Sequence, residues 1–133
     1  NIYGHRMGKS HVIPELIDKI NLNKKSINIF SPQHKRAFCY IDDAIRASNS
    51  LMFCKDAKNK TIHLGNDEEI SIKDVATKIL KILNINGELL LKEAPDGSVS
   101  RRCPDISLMK RLIKYRPAFT LEEGLKLTLK KYL

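Results

Sequence analysis

Tryptophan is absent, and only four phenylalanines and four tyrosines occur in 133 residues. So few aromatics, with Phe30, Phe38 and Tyr40 on apolar runs that read as core, leave little for a base-stacking surface, which disfavours a nucleic-acid-binding role. Cysteine is scarce and odd in number. Cys39, Cys54 and Cys103 lie far apart with no C-x-x-C pair, a pattern that supports neither a disulfide framework nor a zinc site. It predicts three reduced, mostly buried thiols in a cytoplasmic protein. No apolar run approaches the roughly 20 residues that span a bilayer, and no basic stretch followed by an apolar one opens the chain, so neither a membrane nor secretion is expected. G-x-G-x-x-G, a Walker loop, H-E-x-x-H and G-x-S-x-G are all missing, as is Tyr-x-x-x-Lys. His5, His11, His34 and His63 share no helical i, i+4 spacing. The chain alone therefore shows no catalytic centre, no dinucleotide turn and no metal site.

What is present is an ordinary globular composition, 42% apolar and 29% charged, of a length that normally makes one domain. Twenty-four basic residues against fifteen acidic ones give a net charge of +9. Many lysines, such as Lys73, Lys78, Lys81, Lys126, Lys130 and Lys131, fall where helix exteriors are expected and serve solubility. The arginines sit differently, beside strand ends and turns. Asn1-Ile2-Tyr3-Gly4-His5-Arg6 sets an amide and a guanidinium around one turn, Arg36 leads into Ala37-Phe38-Cys39-Tyr40, and Arg101-Arg102 precedes Cys103-Pro104. Planar guanidinium donors match two oxygens of a phosphate at once. The residues leave two readings open: anion recognition, or pairing with a nearby Asp42, Asp43 or Asp105. The opening on a strand end and turn, with no Met, leads us to expect a piece of a longer protein.

Periodicity places a helix from Val12 or Ile13 to Ile20, with Pro14 in its first turn. Strands are expected at 27–30, 37–41, 61–64 and 88–92. A helix over 42–54 should bury Ala44, Ile45, Ser48, Leu51 and Met52. Ser71 should cap the next, with Asp74 three residues on. Asp105 or Ser107 should begin another through Leu112, and Thr120-Leu121-Glu122-Glu123 forms a capping box for a last helix to about Lys131. The sum is α/β: a small α+β-like lobe of short strands and four to five helices, with too few βα repeats for a complete dinucleotide-binding sheet.

Six segments, in order, resemble those of the nucleotide-sugar epimerase/dehydratase family, the extended short-chain dehydrogenase/reductase proteins. Asn1 to Met7 is similar to its N-x-Y-G-P-R segment, and His11 to Ile17 to the stretch entering its substrate lobe. Arg36 to Ala44 is similar to R-x-F-x-Y-[IV]-x-D-[AL]. Ile62 to Asn66 with Glu69 to Ile72, Ser98 to Ser107, and Leu121 to Leu125 resemble its Y-N-[IL]-G-N…[IV]-S-I, R-x-P-D-x-S and L-E-E-G-[LI] segments. The resemblance implies that residues 1–133 are the C-terminal NDP-sugar-binding lobe of an NAD-dependent epimerase, dehydratase or decarboxylase, in which the catalytic tyrosine acts as base. NAD(P) would be held by an N-terminal Rossmann domain absent from this chain, and by nothing in this chain alone. The intact enzyme would be a cytoplasmic homodimer.

By that resemblance, Asn1 and Arg6 lie on the substrate side, Arg36 grips the diphosphate, and Arg102 reaches the diphosphate or the reacting end of the sugar. Ile27, Ile29 and the rest of the stretch to Phe30 line the nucleotide pocket, with Val12 and Ile13 nearby. Asp105 is assigned to the ribose or merely to its own helix cap. Three departures stand out: His5 for the usual Pro, Ser31-Pro32 for a frequent Gly-rich turn, and Lys114 for the usual Gly before Tyr115. They bear on subfamily more than on family. The alternative is a stand-alone basic module for nucleotides or nucleic acid, or a non-catalytic binding remnant. Cut from its Rossmann partner, the lobe should expose apolar surface and self-associate or be marginally stable.

Overall fold

A computed structural model describes residues 1–132. Its elements run β1 (Ile2–Tyr3), α1 (Val12–Leu22), β2 (Ser26–Phe30), β3 (Lys35–Ala37), β4 (Cys39–Tyr40), α2 (Ile41–Phe53), β5 (Glu69–Ser71), α3 (Ile72–Ile82), β6 (Glu88–Lys92), β7 (Arg101–Arg102), α4 (Ser107–Ile113) and α5 (Leu121–Tyr132), with a single 3-10 turn at Lys55–Ala57. The class is mixed α/β as expected: five helices and short strands in three small sheets. β1 pairs with β4 and β2 with β6, both in parallel, while β3 stands between antiparallel β5 and parallel β7.

The helices form where local chemistry starts and stops them. Ser71 accepts from the Asp74 amide at 3.0 Å and so satisfies an orphan donor of α3. The Thr120 hydroxyl accepts from the Glu123 amide, and Glu123 Oε2 accepts from the Thr120 amide, a reciprocal capping box. α1 buries Ile13, Leu16, Ile17 and Ile20, α3 buries Val75, Ala76, Ile79 and Leu80, and both close on Ile27 and Ile29 of β2 in the main core. A second cluster of Ala47, Ile106, Met109 and Tyr115 joins α2 to α4.

Four expectations are corrected. Residues 61–64 form no strand. Ile62 and Leu64 pack on the α2–α4 core from an irregular segment, and the antiparallel partner of β3 is supplied instead by 69–71. α2 turns a different face inward: Asp43, Ala44 and Ala47 are buried, whereas Ile45, Met52 and Phe53 are exposed. Small residues seat this helix closely on its neighbours, which leaves the large apolar ones outside. Phe30 is not core either. Strand alternation puts Ile27 and Ile29 inward and leaves Phe30 48% exposed. Of the three free thiols only Cys39 is fully buried; Cys54 and Cys103 are half-buried.

Gly124 shows why the last helix carries glycine in its second turn. A Cβ there would collide with the Tyr3 hydroxyl and lie 2.9 Å from the Tyr40 ring. Tyr3 is 1% exposed and its hydroxyl donates to the Leu121 carbonyl, so it has nowhere to retreat. Gly124→Ala is expected to destabilise the chain by about 1–3 kcal/mol through overpacking. Chemical denaturation should show a lower midpoint at an unchanged slope.

Candidate functional site

The parallel pairing of β3 with β7 places Arg36 directly beside Arg102, and Lys35 beside Arg101. Sixty-odd residues of intervening chain thus bring four cations to one strand pair. Arg101 is neutralised by Glu69 at 2.8 Å. Among the described residues, no carboxylate pairs with Arg36 or Arg102. The Asp-pairing alternative therefore holds for neither. The arginine that does pair with an aspartate is Arg46, on Asp43 at 2.7 Å.

Burial, and then the positive charge of Arg102, hold the Arg36 guanidinium below its ordinary range. Two like charges drawn together without a carboxylate form a site that an anion stabilises. Arg36 is already anchored: Nη1 donates to the Lys35 and Ser100 carbonyls at 2.8 and 3.3 Å, and Nη2 to the Val99 carbonyl at 2.7 Å. Those bonds fix the plane of the fork. They also tie the exposed 93–100 loop to the strand.

Two hollows share Val12 and Arg36. The first, about 250 Å³, is lined by Asn1, Ile2, His11, Phe38 and Arg102 among others. The second, about 400 Å³, runs past Lys19, Ile29, Phe30, His34 and Ser98. The pair, adjoining at Val12 and Arg36, is the cleft; Arg102 lines the first hollow only, and Leu16, Ile29 and Phe30 form an apolar wall of the second. Phe30 forms part of that wall, with Lys19 Nζ 4.9 Å over its ring and held at 2.6 Å by Glu15.

The structure thus brings together Asn1, Val12, Ile29, Arg36 and Arg102. It does not bring Arg6, Ile13, Ile27 or Asp105 to the cleft. Ile13 and Ile27 are core residues, 0% and 1% exposed. Arg6 lies on the turn after β1 with a left-handed φ of 69°, outside both hollows. Asp105 accepts from the Ser107 amide at 2.9 Å, and that bond holds its carboxyl below the usual range; it is a turn-forming residue ahead of α4. Asn1 is partly committed, its side-chain amide donating to the Ala37 carbonyl at 3.2 Å. Phe30 lies in the stretch that the resemblance assigned to the pocket, whereas Lys19, His34 and the Val99 and Ser100 carbonyls carried no local signal.

The fold is a mixed α/β module that carries Arg36 and Arg102 side by side on β3 and β7, with no carboxylate pairing either among the described residues. Residues 1–65 match the model of the NAD dependent epimerase/dehydratase family, and the chain is similar to part of the length of proteins of that kind. It is 30% identical over 125 residues to an uncharacterized UDP-glucose epimerase of Bacillus subtilis, covering 93% of this chain and 39% of that protein. It is 32% identical to UDP-glucuronic acid decarboxylase 1 of Xenopus tropicalis, covering 97% and 31%. The fold superposes on the UDP-glucuronic acid 4-epimerase of Bacillus cereus, solved with UDP-glucuronic acid and NAD, at a TM-score of 0.85. Identity there is 28%, with 98% of this chain and 42% of that one covered. The chain therefore spans less than half the length of the relatives it matches. Among the described residues no strand-to-helix turn carries the closely spaced glycines of a dinucleotide cradle, no group of His, Cys, Asp and Glu could hold a metal ion, and no helix is long and apolar enough to cross a membrane.

Proposed function

We propose that this chain is the NDP-sugar-binding lobe of an NAD-dependent nucleotide-sugar epimerase, dehydratase or decarboxylase. The observation that carries the proposal is the β3–β7 register, which sets Arg36 and Arg102 side by side on one hollow, with no carboxylate partner for either among the described residues and with Arg36 also opening on the second hollow. A diphosphate bridging the pair would relieve their repulsion and take up their free donors. The nucleoside would then lie toward Val12, Ile29 and Phe30, and the sugar toward Asn1 and Arg102. Similarity to proteins that bind UDP-sugars supports this direction.

The lobe's chemical contribution is placement. Affinity for the diphosphate, which does not react, is converted into a fixed position for the sugar carbon that does. NAD(P) supplies hydride acceptance and return when bound, and this reading assigns it, together with the catalytic base, to a Rossmann domain outside the chain. The intact enzyme would be a cytoplasmic homodimer. The chain by itself should bind and not turn over.

Titration with UDP-, GDP-, CDP- and dTDP-sugars, set against single-stranded RNA at two salt concentrations, tests the proposal. Saturable binding of at least one NDP-sugar, with RNA bound weakly, is expected. Tight RNA binding that collapses steeply with salt, with no NDP-sugar bound, would overturn it in favour of a basic nucleic-acid module.

A further inference from the structure

A second cation-lined hollow lies between α2 and the segment after α4, separate from the cleft. It has a volume of about 290 Å³, and Arg46, Ser50, Lys114 and Arg116 line it with no carboxylate among the lining residues. Tyr115 also lines it, its hydroxyl lying 3.8 Å from Cys39 Sγ. One Arg46 nitrogen is fixed by Asp43 Oδ1 at 2.7 Å and by the Arg116 carbonyl at 2.8 Å. That single nitrogen carries both bonds, so the rest of the guanidinium remains available. Asp43 offsets the charge of Arg46, which leaves Lys114 and Arg116 as the two cations of the hollow with no carboxylate partner among the described residues.

Lys114 is the second observation. It ends α4 in the left-handed region, φ 49° and ψ 39°, where glycine is favoured and other side chains are strained. The resemblance places Gly at this position, and this chain places a cation there. Lys110 and Arg111 already stand in the last turn of α4 to meet its carbonyls, so the helix end does not need a third cation. Retained strain beside a hollow is a pointer to function.

We propose that Arg46, Ser50, Lys114 and Arg116 form a binding site for a phosphate group, free or esterified, independent of the NDP-sugar cleft. Two guanidiniums and an ammonium around a hydroxyl supply charge-assisted donors on several sides of one oxyanion. The hollow is large enough for a phosphate with a small organic substituent.

The test is amide chemical-shift titration of the protein with inorganic phosphate and, separately, glycerol 3-phosphate, at constant ionic strength with chloride as the control. Repeating it on Arg36→Ala weakens the cleft and should leave this hollow untouched, so this inference and the proposed function fail separately. Saturable shifts at Ser50 and 114–116, unchanged in Arg36→Ala, are expected. Tighter binding of the ester assigns the site to an esterified phosphate, and tighter binding of inorganic phosphate to the free ion. Lys114→Gly should weaken binding about fivefold, the loss of one charge-assisted contact, while raising the melting temperature in phosphate-free buffer. Arg116→Gln should weaken binding without that gain in stability. Shifts that chloride reproduces, or Lys114→Gly affinity equal to wild type, would overturn the site and leave Lys114 a helix-end cation only. A melting temperature that does not rise would count against it by removing the strain.

Discussion

Arg36→Ala is expected to lower NDP-sugar affinity by about 10- to 100-fold, the loss of roughly 1.5–3 kcal/mol from a charge-assisted contact. The guanidinium is half-buried, fixed in plane by three carbonyls, and close to a second unpaired cation. Its contribution is therefore larger than that of an exposed surface charge. Arg36→Lys should recover only part of the loss, because a point charge cannot reproduce the fork. Arg36 also ties down Val99 and Ser100, so its removal loosens the 93–100 loop as well. Isothermal titration gives the affinities, and thermal melting of the same variants shows that the effect is not unfolding. Affinity within twofold of wild type in Arg36→Ala would remove it from the site.

Asp43→Ala should be the most destabilising single substitution, by about 3–5 kcal/mol, with a melting temperature lower by roughly 10 °C or more. Asp43 is 2% exposed. Its carboxylate accepts from the Ala118 amide at 3.0 and 3.2 Å, from the Phe119 amide at 3.1 Å and from Arg46 at 2.7 Å. It thereby fastens α2 to the segment that launches α5. Truncation leaves two amides and a guanidinium without their acceptor. Asp42→Ala, at the exposed neighbour, should cost well under 1 kcal/mol. A melting curve for each variant decides the matter, and equal losses at the two positions would contradict this account.

The contrast between Asp42 and Asp43 marks how far the sequence could be read. Caps were legible because their chemistry is local: Ser71 with Asp74, and Thr120 with Glu123, both sit three residues apart and both form as expected. The strands of the central sheet were not, because β5, β3 and β7 are each two or three residues long and exist only through one another. Periodicity drew a strand at 61–64, where the apolar alternation of Ile62 and Leu64 serves packing rather than pairing. On α2 it placed Ala44 and Leu51 correctly but added the exposed Ile45 and Met52 and missed Asp43 and Ala47, which complete the contact face.

The cleft was legible through resemblance far more than through spacing. Charge pattern alone left Arg36 and Arg102 open to pairing with an aspartate. Only the β3–β7 register removes that option. The same resemblance brought in Ile13, Ile27, Arg6 and Asp105, which fold into the core, a turn outside the hollows and a helix lead-in. Its departures carried information of their own. Ser31 and Lys114, where the family favours glycine, adopt left-handed φ values of 53° and 49°, so the backbone has kept a glycine conformation without the glycine.

The claim at the centre is that a diphosphate, held by Arg36 and Arg102, is what this lobe recognises. Calorimetric titration of UDP against uridine, on the wild type and on the Arg36→Ala/Arg102→Ala double variant, tests it directly. The account predicts that UDP binds the wild type at least 100-fold more tightly than uridine does, a difference of about 2.7 kcal/mol, and that the double variant abolishes this gap. Uridine binding as tightly as UDP, or an undiminished gap in the double variant, would contradict it.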